Sequence, residues 1–308
     1  MHDSRAVHST VIALDRPLDL ARTLGLLARG AGDPTLRVEP GRVWRATRTP
    51  SGPATLLVVP APGRLELTAW GPGAEALLAG AGDLVGLGDD PAELRTPHPL
   101  VRALQTRFAA VRLPRTWNVV EALVPAILEQ RVTGAESRRA YRRLVVEWGE
   151  PAPGPGGLFV PPTAETLARL PYHAFHRLGV ERRRAEVVRH AMSRADRLEE
   201  IAARPLEAAR DLLARRLDAL PGIGPWTIAE VGLRAFGDPD AVSVGDFHLP
   251  HLVAWALAGE PRGTDSRMLE LLAPFTGQRG RVVRLLELSG LRPPRFGPRL
   301  PVRRIERI

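Results

Sequence analysis

Between Gly63 and Trp70 apolar and polar positions alternate, with Leu65, Leu67 and Ala69 set against Arg64, Glu66 and Thr68. That is the two-residue period of a strand with one buried face. The β-rich run Thr55 to Val59 precedes it, and Pro60, Ala61, Pro62 and Gly63 supply a turn, so the pair predicts a hairpin. Gly41 to Thr49 and Val7 to Asp15 are further strand candidates, and Leu18 to Arg29 carries helical spacing through Leu20, Leu24 and Leu27. The expectation for residues 1–95 is a β-rich antiparallel domain with one or two helices.

From Leu94 the pattern changes to helices with short connections, so residues 96–290 are expected to form a mainly helical domain and the chain as a whole is α+β. Asn118 stands before Val119 and Val120 with Glu121 three places on, a capping arrangement. Val119, Leu123 and Ile127 then share a face, and Pro125 inside the stretch predicts a bend. Glu150 to Pro162 is rich in proline and glycine and reads as a loop. Helical patterns follow at Arg182 to Ala195, Pro205 to Leu217, Pro225 to Phe236, Phe247 to Ala258 and Arg279 to Leu288. Residues 291–308 hold six arginines, four prolines and one acid, and read as an irregular basic tail.

Composition narrows the chemistry. The chain has no cysteine, which excludes disulfides, thiolate metal sites, iron–sulfur clusters and a cysteine nucleophile. Every basic residue among the 43 Lys+Arg is arginine, so no side-chain Schiff base can form. The net charge of +9 favours a polyanionic partner, although an arginine-rich, lysine-free composition also follows from codon bias. No apolar run reaches about 18 residues, and Met1 to Thr10 carries charge and histidine, so a soluble cytoplasmic protein without a membrane partner is expected. His173 with His176, and His248 with His251, have helical-neighbour spacing, yet neither pair has a completing carboxylate cluster for zinc.

The informative stretch is Leu220-Pro-Gly-Ile-Gly-Pro-Trp-Thr227, which lies between two helical patterns. Pro225 suits the first position of a helix, and Gly222 and Gly224 permit a turn that leaves N–H groups pointing outward at a helix N-terminus. Such a turn is a phosphate seat. It is followed by Val244-Gly-Asp-Phe-His-Leu249, which places Asp246 20 positions after Trp226. Asp246 reads either as the cap of the next helix or as a reactive carboxylate, and both roles are compatible because a helix N-terminus keeps a carboxylate ionised.

The octapeptide resembles the helix-hairpin-helix motif, and its spacing to Asp246 is similar to that of the helix-hairpin-helix DNA glycosylase superfamily. Ala126-Ile-Leu-Glu-Gln-Arg-Val-Thr133 and Leu178-Gly-Val-Glu-Arg-Arg-Arg-Ala185 resemble segments of AlkA-type 3-methyladenine DNA glycosylases, over roughly Pro97 to Leu288. The resemblance implies duplex DNA with damaged bases as the partner and Asp246 as the catalytic residue, and it points to no protein partner. It implies Trp226 and Phe275 as aromatic walls of a base pocket, with core packing the alternative for Phe275. Glu230 stands where an aromatic is expected in that pocket, which bears on substrate range.

DNA contacts are implied for Gly222, Ile223, Gly224 and Thr227 in the hairpin and for Gln130, Arg131 and Thr133 in a second loop. Arg131 is the candidate wedge into the gap left by a flipped nucleotide, or alternatively a phosphate contact. The resemblance also implies a monovalent cation, Na+ or K+, on backbone carbonyls such as those of Leu220 and Ile223, with no other cofactor and no iron–sulfur cluster. Strand-cutting members use a lysine at the position Trp226 occupies here, so the expected activity is monofunctional base release in base excision repair. The bond to an alkylated, cationic purine needs little acid assistance to break. A non-catalytic damage-binding protein and a glycosylase for a neutral base are the other readings, and Glu230 is where extra acid catalysis would be sought.

Overall fold

The computed structural model describes residues 7–294 and 302–307. Five antiparallel strands open the chain: β1 Val7–Ala13, β2 Leu36–Glu39, β3 Arg42–Thr49, β4 Gly52–Ala61 and β5 Arg64–Trp70, in the spatial order β1-β5-β4-β3-β2. Helix α1, Leu20–Gly25, connects β1 to β2, and α2, Ala74–Ala79, with α3, Ala81–Leu84, follows β5. The alternation in β5 does what its period requires, because Leu65, Leu67 and Ala69 are buried while Arg64 and Glu66 are exposed. Those side chains join Leu56 and Val58 of β4, Val43 of β3 and Leu20 and Leu24 of α1 in one core. The opposite face of β3 buries Trp44 and Ala46 under Leu158 and Val160, with Trp44 stacked on Trp70 at 5.7 Å.

Sequence and structure differ here in three places, the first being that three α-helices, not one or two, accompany the strands, since α2 and α3 are short and separated only by Gly80. The turn of the central hairpin is shorter than expected, since Pro60 and Ala61 remain in β4 and pair with Leu65 and Arg64. Pro60 sits near the end of that strand, where its missing N–H costs little. Strand β2 was not anticipated; at four residues its alternation is too short to stand out, and its place is fixed by pairing with β3.

The helical part comprises α4 Pro99–Arg107, α5 Val119–Glu129, α6 Gly134–Trp148, α7 Ala164–Arg169, α8 Tyr172–Arg177, α9 Arg182–Met192, α10 Ala195–Glu199, α11 Leu206–Asp218, α12 Pro225–Phe236, α13 Leu249–Ala258, α14 Asp265–Leu272 and α15 Arg279–Ser289. It has two cores. Helices α5 to α12 bury Leu123, Ile127, Leu144, Phe175, Val188, Leu217 and Phe236 together. Helix α4 instead crosses to the end of the chain and shares a core with α13 to α15, through Val101, Leu104, Val253, Met268, Leu272 and Leu286. The segment between α12 and α13 therefore spans the junction of the two cores.

Asn118 caps α5 as expected, accepting from the Glu121 N–H at 2.8 Å. The helix continues through Pro125, which is buried at its middle, so the proline does not break it. The Glu150 to Pro162 loop contains a two-stranded ribbon, Glu150–Pro151 with Phe159–Val160. Of the basic tail, residues 295–301 and 308 lie outside the described residues. The described remainder is not wholly irregular: Ile305–Arg307 forms a 3-10 turn, the Arg303 N–H donates to Glu136 Oε1 at 2.8 Å and Arg139 donates to the Arg303 carbonyl at 3.2 Å.

Buried ion pairs join the sheet to the helices. Arg45 donates to Glu121 at 2.7 Å, and Asp89 receives both terminal nitrogens of Arg281 and the Leu113 N–H. Arg29, from the sheet domain, reaches Glu129 at the end of α5 at 3.3 Å. Such pairs are costly to break one-sidedly, so they hold the two parts in one arrangement.

Candidate nucleic-acid interface and active site

The hairpin is built from α11, a tight turn and α12. The Leu220 N–H returns to the Leu217 carbonyl at 3.0 Å and the Ile223 N–H to the Leu220 carbonyl at 3.1 Å, while Leu220 and Ile223 bury their side chains. Gly222 has φ +87°, and a Cβ there would lie 2.5 Å from Val187 Cγ2 on α9. The turn thus demands glycine twice over, for conformation and for space. Gly224 precedes α12 with no capping side chain, and Pro225 takes the first helical position. The N–H groups of the first turn have no intrahelical partners, and no side chain at Gly224 covers them.

The second loop is tied to this turn. Gln130 ends α5 and its amide donates to the Gly222 carbonyl at 3.0 Å and to Thr227 Oγ1 at 2.9 Å. Thr227 is 2% exposed, so it is a buried anchor for Gln130 and not a surface contact. Arg184 fastens the same helix end from below, donating to the Leu128 carbonyl at 2.7 Å. Arg131 follows in the left-handed region at φ +54° with its side chain exposed. A non-glycine residue held there carries strain that the flanking structure must impose. Thr133 is committed to a capping box on α6, its hydroxyl and N–H both meeting Glu136. Burial would push the Glu136 carboxyl up, but hydrogen bonds from Thr133 and the Arg303 N–H more than offset it and the net shift is downward.

Asp246 closes a turn that starts at Ser243: its N–H donates to the Ser243 carbonyl at 3.2 Å, and Gly245, third in that turn, has φ +93°. A turn with positive φ at its third residue selects glycine. Oδ1 of Asp246 accepts the N–H groups of His248 at 2.7 Å and Leu249 at 2.8 Å, at the start of α13. Oδ2 accepts from Trp226 Nε1 at 3.1 Å. The cap and the link to the hairpin tryptophan therefore coexist in one half-buried carboxylate. Trp226 is partly buried against the large helical core.

The other pocket candidates lie elsewhere or are engaged. Phe275 is 5% exposed and packs in the core of α4 and α13 to α15, so it is a core residue and not an open wall. Glu230 is one turn beyond Trp226 on α12; its carboxylate accepts from Arg234 at 2.5 Å and from the Ser243 hydroxyl at 2.5 Å. Burial would raise its pKa, but Arg234, Ser243 and Arg29 outweigh that, so it is held below the usual carboxylate range. Two neighbours escaped the sequence reading. Phe247, beside Asp246, is 71% exposed and sets its ring edge-on to His248 at 4.9 Å. Ser243 is the other, and its only signal was proximity to Asp246. Among the described residues no group of three histidines or carboxylates could hold a metal ion.

No protein-family model matches the chain. A probable bifunctional transcriptional activator/DNA repair enzyme AlkA of Mycobacterium tuberculosis is 29% identical over 245 residues, 76% of this chain and 48% of that protein. The chain therefore spans about half the length of the curated relatives it matches. A 3-methyladenine DNA glycosylase from Archaeoglobus fulgidus superimposes with TM-score 0.74 over 91% of this chain and 98% of its own, at 19% identity. The chain is similar to AlkA-type proteins and has their helix-hairpin-helix glycosylase fold. An 8-oxoguanine glycosylase/lyase of Clostridium acetobutylicum shares that fold at TM-score 0.68 and 14% identity, over 91% of this chain and 95% of its own. Among the described residues no helix is long and apolar enough to cross a membrane.

Proposed function

We propose that this chain is a monofunctional DNA glycosylase of base excision repair that removes alkylated purines of the 3-methyladenine and 7-methylguanine class and leaves an abasic site. The observation that carries the reading is the fixed Asp246 carboxylate, bonded on one oxygen by the α13 N-terminus and on the other by the hairpin tryptophan. The AlkA-type similarity supports the reaction class.

The hairpin turn grips one strand through backbone N–H groups, without reading sequence. Arg131 enters the space left by the extruded nucleotide, and the damaged base leaves the stack for a site beside Trp226. A ring-alkylated purine is cationic, so the glycosidic electron pair leaves with the base, which departs neutral. The positive charge stays on the sugar, where the Asp246 carboxylate stabilises it. Water then adds at the anomeric carbon and loses a proton. Each carboxylate oxygen has about two acceptor sites, so Oδ2 keeps one for this task after binding Trp226.

The position after the second hairpin glycine and proline is Trp226, and the chain has no lysine, which supports base release without lysine-dependent strand cleavage. The Leu220 and Ile223 carbonyls are the proposed holders of Na+ or K+. Leu220 O already accepts the Ile223 N–H, and its second lone pair fits a weakly held cation. A bound cation would add positive field at the phosphate seat.

The test is base release from duplexes carrying 3-methyladenine, 7-methylguanine, hypoxanthine or uracil, with strand integrity read separately. Release of the cationic purines with intact strands is expected. Release confined to hypoxanthine or uracil, or no release with duplex binding retained, overturns the proposal.

A further inference from the structure

Helix α12 touches the Asp246 segment twice, from side chains one turn apart on the same face. Trp226 reaches the carboxylate itself. Glu230 reaches Ser243, the first residue of the turn that Asp246 closes. We propose that Glu230 and Ser243 are positioning residues for Asp246. The inference rests on the catalytic reading of Asp246.

The path is continuous. The Ser243 hydroxyl donates to Glu230 Oε1 at 2.5 Å while its carbonyl accepts the Asp246 N–H at 3.2 Å, so one residue is held by its side chain and holds the aspartate by its backbone. Gly245, inside the turn, donates its N–H to Asp265 Oδ1 at 3.1 Å, which fixes the other side. Glu230 Oε2 is held by Arg234 at 2.5 Å, and both side chains are about 15% exposed or less. The middle of α12 and the turn at Ser243 are thus joined through one largely buried carboxylate.

Each carboxylate oxygen of Glu230 holds a protein donor, and the assay separates a positioning role from direct contact with a flipped base. A positioning role changes the rate of bond breaking for every lesion alike. A base contact changes discrimination between lesions. A purely structural role changes stability and leaves the rate per folded molecule intact.

The experiment compares the full chain with Ser243→Ala, Ser243→Thr, Glu230→Gln and Asp246→Asn. Each is assayed in single turnover on 3-methyladenine and 7-methylguanine duplexes, with affinity for an abasic-site duplex and urea stability measured in parallel. Ser243→Ala removes the hydroxyl without altering the charge cluster. Its expected effect is a tenfold or greater fall in rate, equal on both lesions, with duplex affinity changed less than about twofold. Ser243→Thr should recover the rate to within about threefold, and the losses of Ser243→Ala and Glu230→Gln should be less than additive when the two are combined.

A Ser243→Ala rate within twofold of the parent, while Asp246→Asn is inactive, overturns the positioning proposal and leaves the catalytic reading standing. A loss confined to one lesion overturns it in favour of a base contact. Full activity of Asp246→Asn removes the catalytic reading and the proposal with it.

Discussion

Gly222 and Gly224 lie two residues apart in the same turn, and alanine at each should fail in different ways. At Gly222 the backbone has φ +87°, where a side chain costs about 1–2 kcal/mol. The new Cβ also meets Val187 Cγ2 at 2.5 Å. Val187 is a buried β-branched residue on α9, so its side chain has little rotamer freedom to swing away, and overpacking of this kind adds about 1–3 kcal/mol. Alanine recovers about 0.4–1 kcal/mol by restricting the unfolded chain, so the net expectation for Gly222→Ala is a loss of about 2–4 kcal/mol.

At Gly224 the backbone is extended, at φ −135° and ψ −179°, and no atom lies within 4 Å of the added Cβ. Gly224→Ala should therefore leave stability within about 1 kcal/mol of the parent. It does place a methyl group over the first-turn N–H groups. Losing one phosphate hydrogen bond, worth about 1.5 kcal/mol, corresponds to roughly tenfold weaker duplex binding. Urea unfolding and duplex titration at one salt concentration separate the outcomes. Equal stability of the two variants would refute the steric argument at Gly222, and unchanged binding by Gly224→Ala would refute the phosphate seat.

Three further outcomes are expected. Asp89→Asn leaves Arg281 buried without a counter-charge, both side chains being 5% exposed, and should cost about 3–5 kcal/mol in urea unfolding. Arg131→Gly removes the penalty of a left-handed non-glycine residue, so the fold should be unchanged or about 1 kcal/mol more stable, while single-turnover base release slows. The Glu136 carboxyl is held below its ordinary value in the fold, so its contribution is complete above the usual glutamate pKa of about 4.3 and is lost as the pH falls through the lower folded value. Glu136→Gln should therefore narrow the stability difference between pH 7 and pH 3, measured by urea unfolding.

Local patterns made most of this architecture legible before any coordinates. The alternation at Leu65, Leu67 and Ala69, the Asn118 cap and the Pro225 start of α12 are short-range signals, and each corresponds to an element boundary within a few residues. What stayed hidden depends on pairing across long stretches of chain. Nothing near Gln130 announces that it clamps Gly222 and Thr227, more than 90 residues away. Phe275 carries the same letter whether it faces a base or a core, and only its enclosure by Met268, Leu272 and Val282 decides. Glu230 stands out in the sequence only as a carboxylate in place of an aromatic, and its tie to the Asp246 turn shows only once Ser243, 13 residues on, is seen to meet it. The short strand β2 was invisible for the same reason, its alternation gaining meaning only beside β3.

The most direct test of the central claim is single-turnover release of 3-methyladenine by the parent chain and by Asp246→Asn, at equal occupancy of the duplex. The amide is nearly isosteric and keeps an oxygen for the α13 N–H groups, so folding and duplex affinity should be little changed while release falls by two orders of magnitude or more. Release by Asp246→Asn within a few-fold of the parent, at matched occupancy, would contradict the assignment of this carboxylate to the reaction.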